Sequence, residues 1–150
     1  MKLAIEKTRE GFKSGNSPFG CAIAQGNSVI ATAHNTVLTT IDSTAHAEVN
    51  AIRAGCKHTG QIHLQGAIVA TTCEPCPMCM AALHWAQVDT VYFGASVQDA
   101  ADAGFNELYI DAEKILSMGG SKVKLIGGIL PAECKQLFHD WKKLPTAKTY

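Results

Sequence analysis

No apolar run in the 150 residues approaches the ~20 that a membrane helix needs. The longest are short segments such as AIVA and KLIGGIL, so the sequence predicts a soluble chain. Net charge is absent too: thirteen Lys and Arg balance thirteen Asp and Glu, which removes the broad attraction behind most non-specific nucleic-acid binding. Only Lys142, Lys143 and Lys148 leave a mildly basic end, and a nucleic-acid partner is not expected. The first residues, MKLAIEKTREGFKSG, carry charges every few positions and no apolar signal core, so the six cysteines read as reduced thiols of a cytoplasmic protein. There is no internal repeat, low-complexity tract or linker, and residues 1–150 read as a single domain that can bury a core without a metal to hold it folded.

What is there alternates between helix and strand patterns. Leu3, Ile5, Thr8 and Phe12 lie at helical spacing and the run stops at Gly15. After the loop NSPFG, CAIAQGNSVIATA reads as two strands joined by a tight turn at Gly26-Asn27. HNTVLTTIDST reads as loop, and Ser43 or Thr44 caps a helix over AHAEVNAIRAGC. AIVAT is a buried strand, PCPMCMAALHWAQ a helix opened by prolines, and TVYFGA a further strand, which together imply a right-handed parallel crossover. SVQDAADAGFNELYI reads as loop, DAEKIL as a short helix or turn, VKLIGGI as strand, and Pro131 opens a helix running to Lys143. The expected class is α/β, a three-layer α/β/α sandwich around a mixed sheet of about five strands.

The stretch TTCEPCPMC, residues 71–79, places Cys73, Cys76 and Cys79 at intervals of three, and His46-Ala47-Glu48 lies upstream. Two readings stand. A structural zinc site closes with four protein ligands, which Cys73, Cys76, Cys79 and His46 nominally supply. Alternatively, Pro75 forces Glu74 into extended geometry so that Cys73 points elsewhere, and His46, Cys76 and Cys79 hold Zn²⁺ with one position left for a water that ionises near neutral pH. The positive end of a helix favours thiolates at Cys76 and Cys79, and Glu48 then has a role as general base and acid. Residues two apart diverge on a regular helix, so His46 and Glu48 share a site only if the pair lies at an irregular helix start.

His-x-Glu followed by Pro-Cys-x-x-Cys is the signature of zinc nucleobase deaminases. The chain resembles the cytidine deaminase superfamily, and within it the guanine deaminase branch, over nearly its whole length. SPFG (17–20) is similar to the family's G-P-F-G loop, AHAEVNAIRAGC to its HAE helix and CEPCPMCMAALHWAQ to its zinc helix. DAADAGFNELYI resembles the segment that separates guanine deaminases from tRNA adenosine and cytosine deaminases, and Phe138, Trp141 and Tyr150 resemble that branch as well. The resemblance implies a cytidine deaminase-like fold, hydrolysis of guanine to xanthine and ammonia, and a homodimer exchanging residues 131–150 between subunits. It assigns substrate contacts to Phe19, Asn35, the Ala47 N–H, Trp85 as a second wall, and Tyr150. It adds Glu107 as a catalytic carboxylate where the branch usually carries Asp. Alternatives are a guanosine, cytosine or triazine (ammeline) deaminase, a tRNA adenosine deaminase, and a non-catalytic structural-zinc or nucleotide-binding subunit of the same fold. His34, His58, His63, His84 and His139 read as surface or packing residues.

Overall fold

The computed structural model describes residues 1–150. It begins with α1 (Lys2–Lys13), whose Ala4, Ile5, Thr8 and Gly11 repeat at helical spacing and form the buried stripe. Gly26, at φ 58°, makes the tight turn between β1 (Gly20–Gln25) and β2 (Ser28–His34), which pair antiparallel with an irregularity between Ile23 and Ala24. β3 (Ala67–Cys73) joins the other side of β1, antiparallel, with Cys21 opposite Thr71. α4 (Pro77–Trp85) then carries the chain over to β4 (Thr90–Ala95), parallel to β3, and β5 (Lys124–Ile126) extends the sheet in the same sense. The strand order is β2-β1-β3-β4-β5, the mixed five-stranded sheet expected.

Two apolar clusters enclose this sheet. Sixteen buried residues, among them Ile23, Val69, Met80, Leu83 and Val91, join it to α3 (Ala47–Thr59), α4 and α6 (Ala112–Gly119). Ten more, including Ile5, Phe105, Leu137, Phe138 and Trp141, lie beneath α1 and α7 (Pro131–Lys142). No helix is long and apolar enough to cross a membrane.

Local readings need correction in three places. The expected loop after β2 contains a helical turn, α2 (Val37–Thr40), started by the Asn35 side chain accepting from the Val37 N–H at 3.0 Å. The expected loop after β4 opens with α5 (Val97–Asp102), because Ser96 and Asp99 form a reciprocal capping box. Most consequentially, neither Ser43 nor Thr44 caps α3. The Thr44 hydroxyl and N–H both donate to Asp42, at 2.7 and 2.8 Å, and the N-cap is His46.

Gly94 marks where α7 meets the sheet: a Cβ there would lie 2.7 Å from Cys134 Cβ and 3.0 Å from the Ile129 carbonyl. Gly94→Ala is therefore expected to destabilise the fold by about 1–3 kcal/mol through overpacking, read as a lower urea midpoint at unchanged slope. An unchanged midpoint would show that α7 can shift at no cost.

Candidate metal centre

The two motif helices start in the same way. His46 is the N-cap of α3 with φ −67° and ψ 157°, and Cys76 is the N-cap of α4 with φ −63° and ψ 167°. Extended backbone at an N-cap turns the side chain off the helical track, and neither residue spends its side chain on a cap hydrogen bond. Pro77 at the first position of α4 fixes the φ that starts the helix, and Cys79 follows within the first turn. His46 Nδ1 comes to lie 3.7 Å from Cys76 Sγ and 3.5 Å from Cys79 Sγ. A tetrahedral zinc with Zn–S of about 2.3 Å and Zn–N of about 2.1 Å separates such ligands by about 3.6 Å, so the three residues already have the spacing zinc imposes. Their ligand atoms lie within 4.8 Å of one another.

Cys73 stands on the wall of the same cavity but outside this group. Its buried thiol donates to the Ser96 carbonyl at 3.3 Å, which leaves three protein ligands instead of four. The other two thiols are poised unequally. The neighbouring Cys79 thiol, and with it His46, lowers the Cys76 pKa to about 4 against the opposing effect of burial. The proximity of Cys76, burial and the nearby Glu48 push Cys79 up.

Glu48 is 6 % exposed, and burial raises its pKa from the ordinary carboxylate range. Its Oε1 accepts the Thr71 hydroxyl at 2.6 Å and its Oε2 faces Cys79 Sγ at 3.3 Å. Thr71 was not singled out from the sequence. Its only signal is register, since alternation along β3 turns a hydroxyl toward the first turn of α3.

His46, Glu48, Cys73, Cys76 and Cys79 line a cavity of about 290 Å³ together with Phe19, Phe105, Glu107 and Tyr150. Glu107 is half-buried, and its pKa is raised by burial and then by the Cys76 and Glu48 charges. Phe19 meets Phe105 edge-on at 4.8 Å and Phe138 at 5.6 Å, so it serves core and cavity together. Asn35 is buried behind the wall: its Oδ1 starts α2, and its Nδ2 donates to the Tyr150 hydroxyl at 2.5 Å. Tyr150 brings the C-terminal segment over the cavity of its own chain, its ring 6.2 Å from that of His46. Ala47 opens α3 between ligand and carboxylate, at a position whose N–H has no intrahelical partner.

Three of the expected substrate contacts, Asn35, Ala47 and Trp85, do not line the cavity. Trp85 is 76 % exposed. It ends α4, six positions beyond Cys79, so the helical rise carries it about 9 Å away from the metal end. The histidines behave as expected: His34 packs against Gly11 and bonds the Asn35 carbonyl, and His84 bonds Ser121 near the surface.

The profile of the cytidine and deoxycytidylate deaminase zinc-binding region matches residues 1–95. The chain is 44 % identical over 114 residues to a guanine deaminase of Bacillus subtilis strain 168, covering 75 % of this chain and 73 % of that protein. It is 33 % identical over 134 residues to a tRNA-specific adenosine deaminase of the same strain, covering 89 % and 81 %. An X-ray structure of guanine deaminase from Bacillus subtilis overlays at a TM-score of 0.68 and 45 % identity, across 71 % of this chain and 68 % of that one.

Metal analysis of variants checks the ligand set. Cys73→Ala is expected to retain about one zinc per chain, and His46→Ala, Cys76→Ala and Cys79→Ala to lose it. Loss from Cys73→Ala with retention in His46→Ala would restore the four-ligand structural reading.

Proposed function

The chain belongs to the cytidine and deoxycytidylate deaminase family, whose members are zinc enzymes, and on that premise we propose that it hydrolyses free guanine to xanthine and ammonia. The observation that carries the proposal is a pair of carboxylates, Glu48 and Glu107, facing one cavity with the three ligands. When bound, zinc supplies a Lewis-acidic position at which water ionises near neutral pH. Glu48, raised by burial and held by Thr71, takes a proton from the attacking water and hands it to the ring nitrogen beside the amine-bearing carbon. The carboxylate so regenerated then takes the proton of the newly added hydroxyl and passes it to the amine, which leaves as ammonia as the C–N bond breaks and the carbonyl forms. Glu107 accepts N–H bonds from the guanine edge, and Phe19 closes the apolar side. Tyr150 accepts from Asn35, which leaves its own O–H proton free to donate to a polar edge of the base.

At about 290 Å³ the cavity sits at the small end of ligand pockets, which run from roughly 300 to 1,000 Å³, and this favours a free base over its nucleoside. A tRNA substrate, suggested by the adenosine deaminase relative, finds no net positive charge to support it.

Ammonia release from guanine, guanosine, cytosine, adenine and ammeline tests the reading. Guanine is expected to be preferred. Glu48→Gln should lower turnover by at least ~10²–10⁴-fold with zinc retained. Glu107→Gln should also fall steeply, because an unmatched buried carboxylate or donor costs more than a lost methylene contact, while Glu107→Asp should hold or raise activity. A guanosine preference, or guanine turnover indifferent to both Glu107 variants, would sink it.

We further propose that the chain acts as a homodimer in which residues 131–150 are exchanged, each Tyr150 entering the neighbouring cavity through the contacts it makes here. The residues after α7 make few backbone bonds of their own, which supports an arm able to reach either site. Truncation after residue 144 should raise KM more than it lowers Tm. Mixing truncated chains with Glu48→Gln chains should then restore activity, because an intact tail reaches an intact site only across the dimer. No restoration would place the tail in its own chain.

A further inference from the structure

Glu74, between the last residue of β3 and the zinc turn, carries three hydrogen bonds that neither the metal nor the proton transfers require. Its N–H donates to the Ala95 carbonyl at 2.8 Å, which anchors it to the end of β4. Its Oε2 accepts from the Val97 N–H at 3.3 Å and its Oε1 from the Ala112 N–H at 2.9 Å. Val97 is the first residue of α5 and Ala112 the first of α6. Unpaired N–H groups at helix starts need acceptors, and a carboxylate there also meets the positive end of the dipole. α5 has an acceptor of its own in the Ser96–Asp99 box, whereas the N-cap of α6, Asp111, makes no side-chain cap bond. Glu74 supplies that acceptor from 38 residues away.

Between those two helices runs the segment 103–111, which carries Phe105, Asn106, Glu107 and Leu108 to the cavity. Phe105 is locked among Phe19, Phe138, Trp141 and Tyr150. Beyond it the backbone is held only by local bonds, Glu107 N–H to the Phe105 carbonyl at 3.1 Å and Ile110 N–H to the Leu108 carbonyl at 2.8 Å, while Leu108 and Tyr109 are 65 % and 70 % exposed. We propose that Glu74 is a positioning residue: its single carboxylate clamps both ends of this segment to the strand end that places Cys76, and so fixes Glu107 relative to the metal ligands. The kinetic part of the proposal rests on the reading of Glu107 as the substrate-facing carboxylate.

The test is Glu74→Gln in the zinc-loaded full chain, which keeps the shape but sets an NH₂ against a backbone N–H. Zinc should stay bound, and kcat/KM for guanine should fall about 10- to 100-fold, the scale of an ångström-sized misplacement. In a Glu107→Gln background the same change should add less than about twofold, because Glu74 acts through Glu107. Independent multiplicative losses would overturn the proposal. Amide exchange across 104–112 should accelerate at least about tenfold with α3 and α4 unaffected, and unchanged protection of that segment would also overturn it. If the parent chain does not turn over guanine, the substrate reading fails by itself and the exchange result decides the clamp alone. Should the Gln variant not fold, Glu74→Asp, which keeps the charge one methylene shorter, is expected to give the same exchange pattern.

Discussion

Everything in the site depends on two helices beginning at the same end of the sheet with an extended N-cap residue each. β3 runs toward this end and α4 follows it directly, so Cys76 and Cys79 are delivered at the carboxyl end of a parallel strand, where open α/β sheets place their ligands. Because β1 is antiparallel to β3, its beginning lies at the same end, and Phe19 precedes it there. β2 reverses once more and finishes opposite Gly20, which sets Asn35 behind the cavity. β4, parallel to β3, ends there as well and releases the segment bearing Glu107. One topological fact thus gathers residues from four strand ends around the metal position, without any side chain having to reach far.

The same constraint explains how His46 and Glu48 share a centre. On a regular helix their side chains would diverge by about 200°. With His46 as the extended N-cap, only Glu48 is on the helical track, and the ligand and the carboxylate are free to converge. The positive end of α3 also eases the burial of Glu48, although burial still raises its pKa. Thr71 from β3 supplies the direct hydrogen bond that sets the orientation of the carboxylate.

Much of this was legible from residue types and spacing. The ligands needed only the paired motifs, and β3, α4 and β4 needed only an apolar strand, prolines at a helix start and a second apolar strand. What spacing could not carry was competition between local bonds. Thr44 looks like a cap, but Asp42 lies two residues away and captures both its hydroxyl and its N–H, which moves the start of α3 to His46. Ser96 and Asp99 do spell a capping box, yet the surrounding polar and glycine-containing run reads as loop, and α5 is hidden within it. Trp85 fails for another reason. Lying on the zinc helix implies nearness to zinc only for its first turn, and an aromatic at the far end of nine residues belongs to a different surface. Thr71 and Glu74 are invisible for a third reason, since their partners are 23 and up to 38 residues away and only the folded register brings them together.

The division of labour between rigid and lightly held parts bears on how one family acts on such different substrates. The metal ligands, Glu48 and Thr71 sit on strand ends and first turns, where ladder and helix bonds fix the backbone, and any deaminase of this fold has use for that arrangement. Glu107 and Tyr150 instead sit on segments with few backbone bonds, secured by side chains: Glu74 and the aromatic cluster for one, Asn35 and Phe105 for the other. Such segments accept insertions and replacements at low cost to the fold. The relatives bear names as different as guanine deaminase and tRNA-specific adenosine deaminase while matching this chain at 44 % and 33 % identity. The backbone bonds of the fold therefore hold the metal ligands and Glu48 tightly and the segments of Glu107 and Tyr150 lightly, and on the proposed reading of those two residues it is their side-chain anchors that would bear on the choice of substrate.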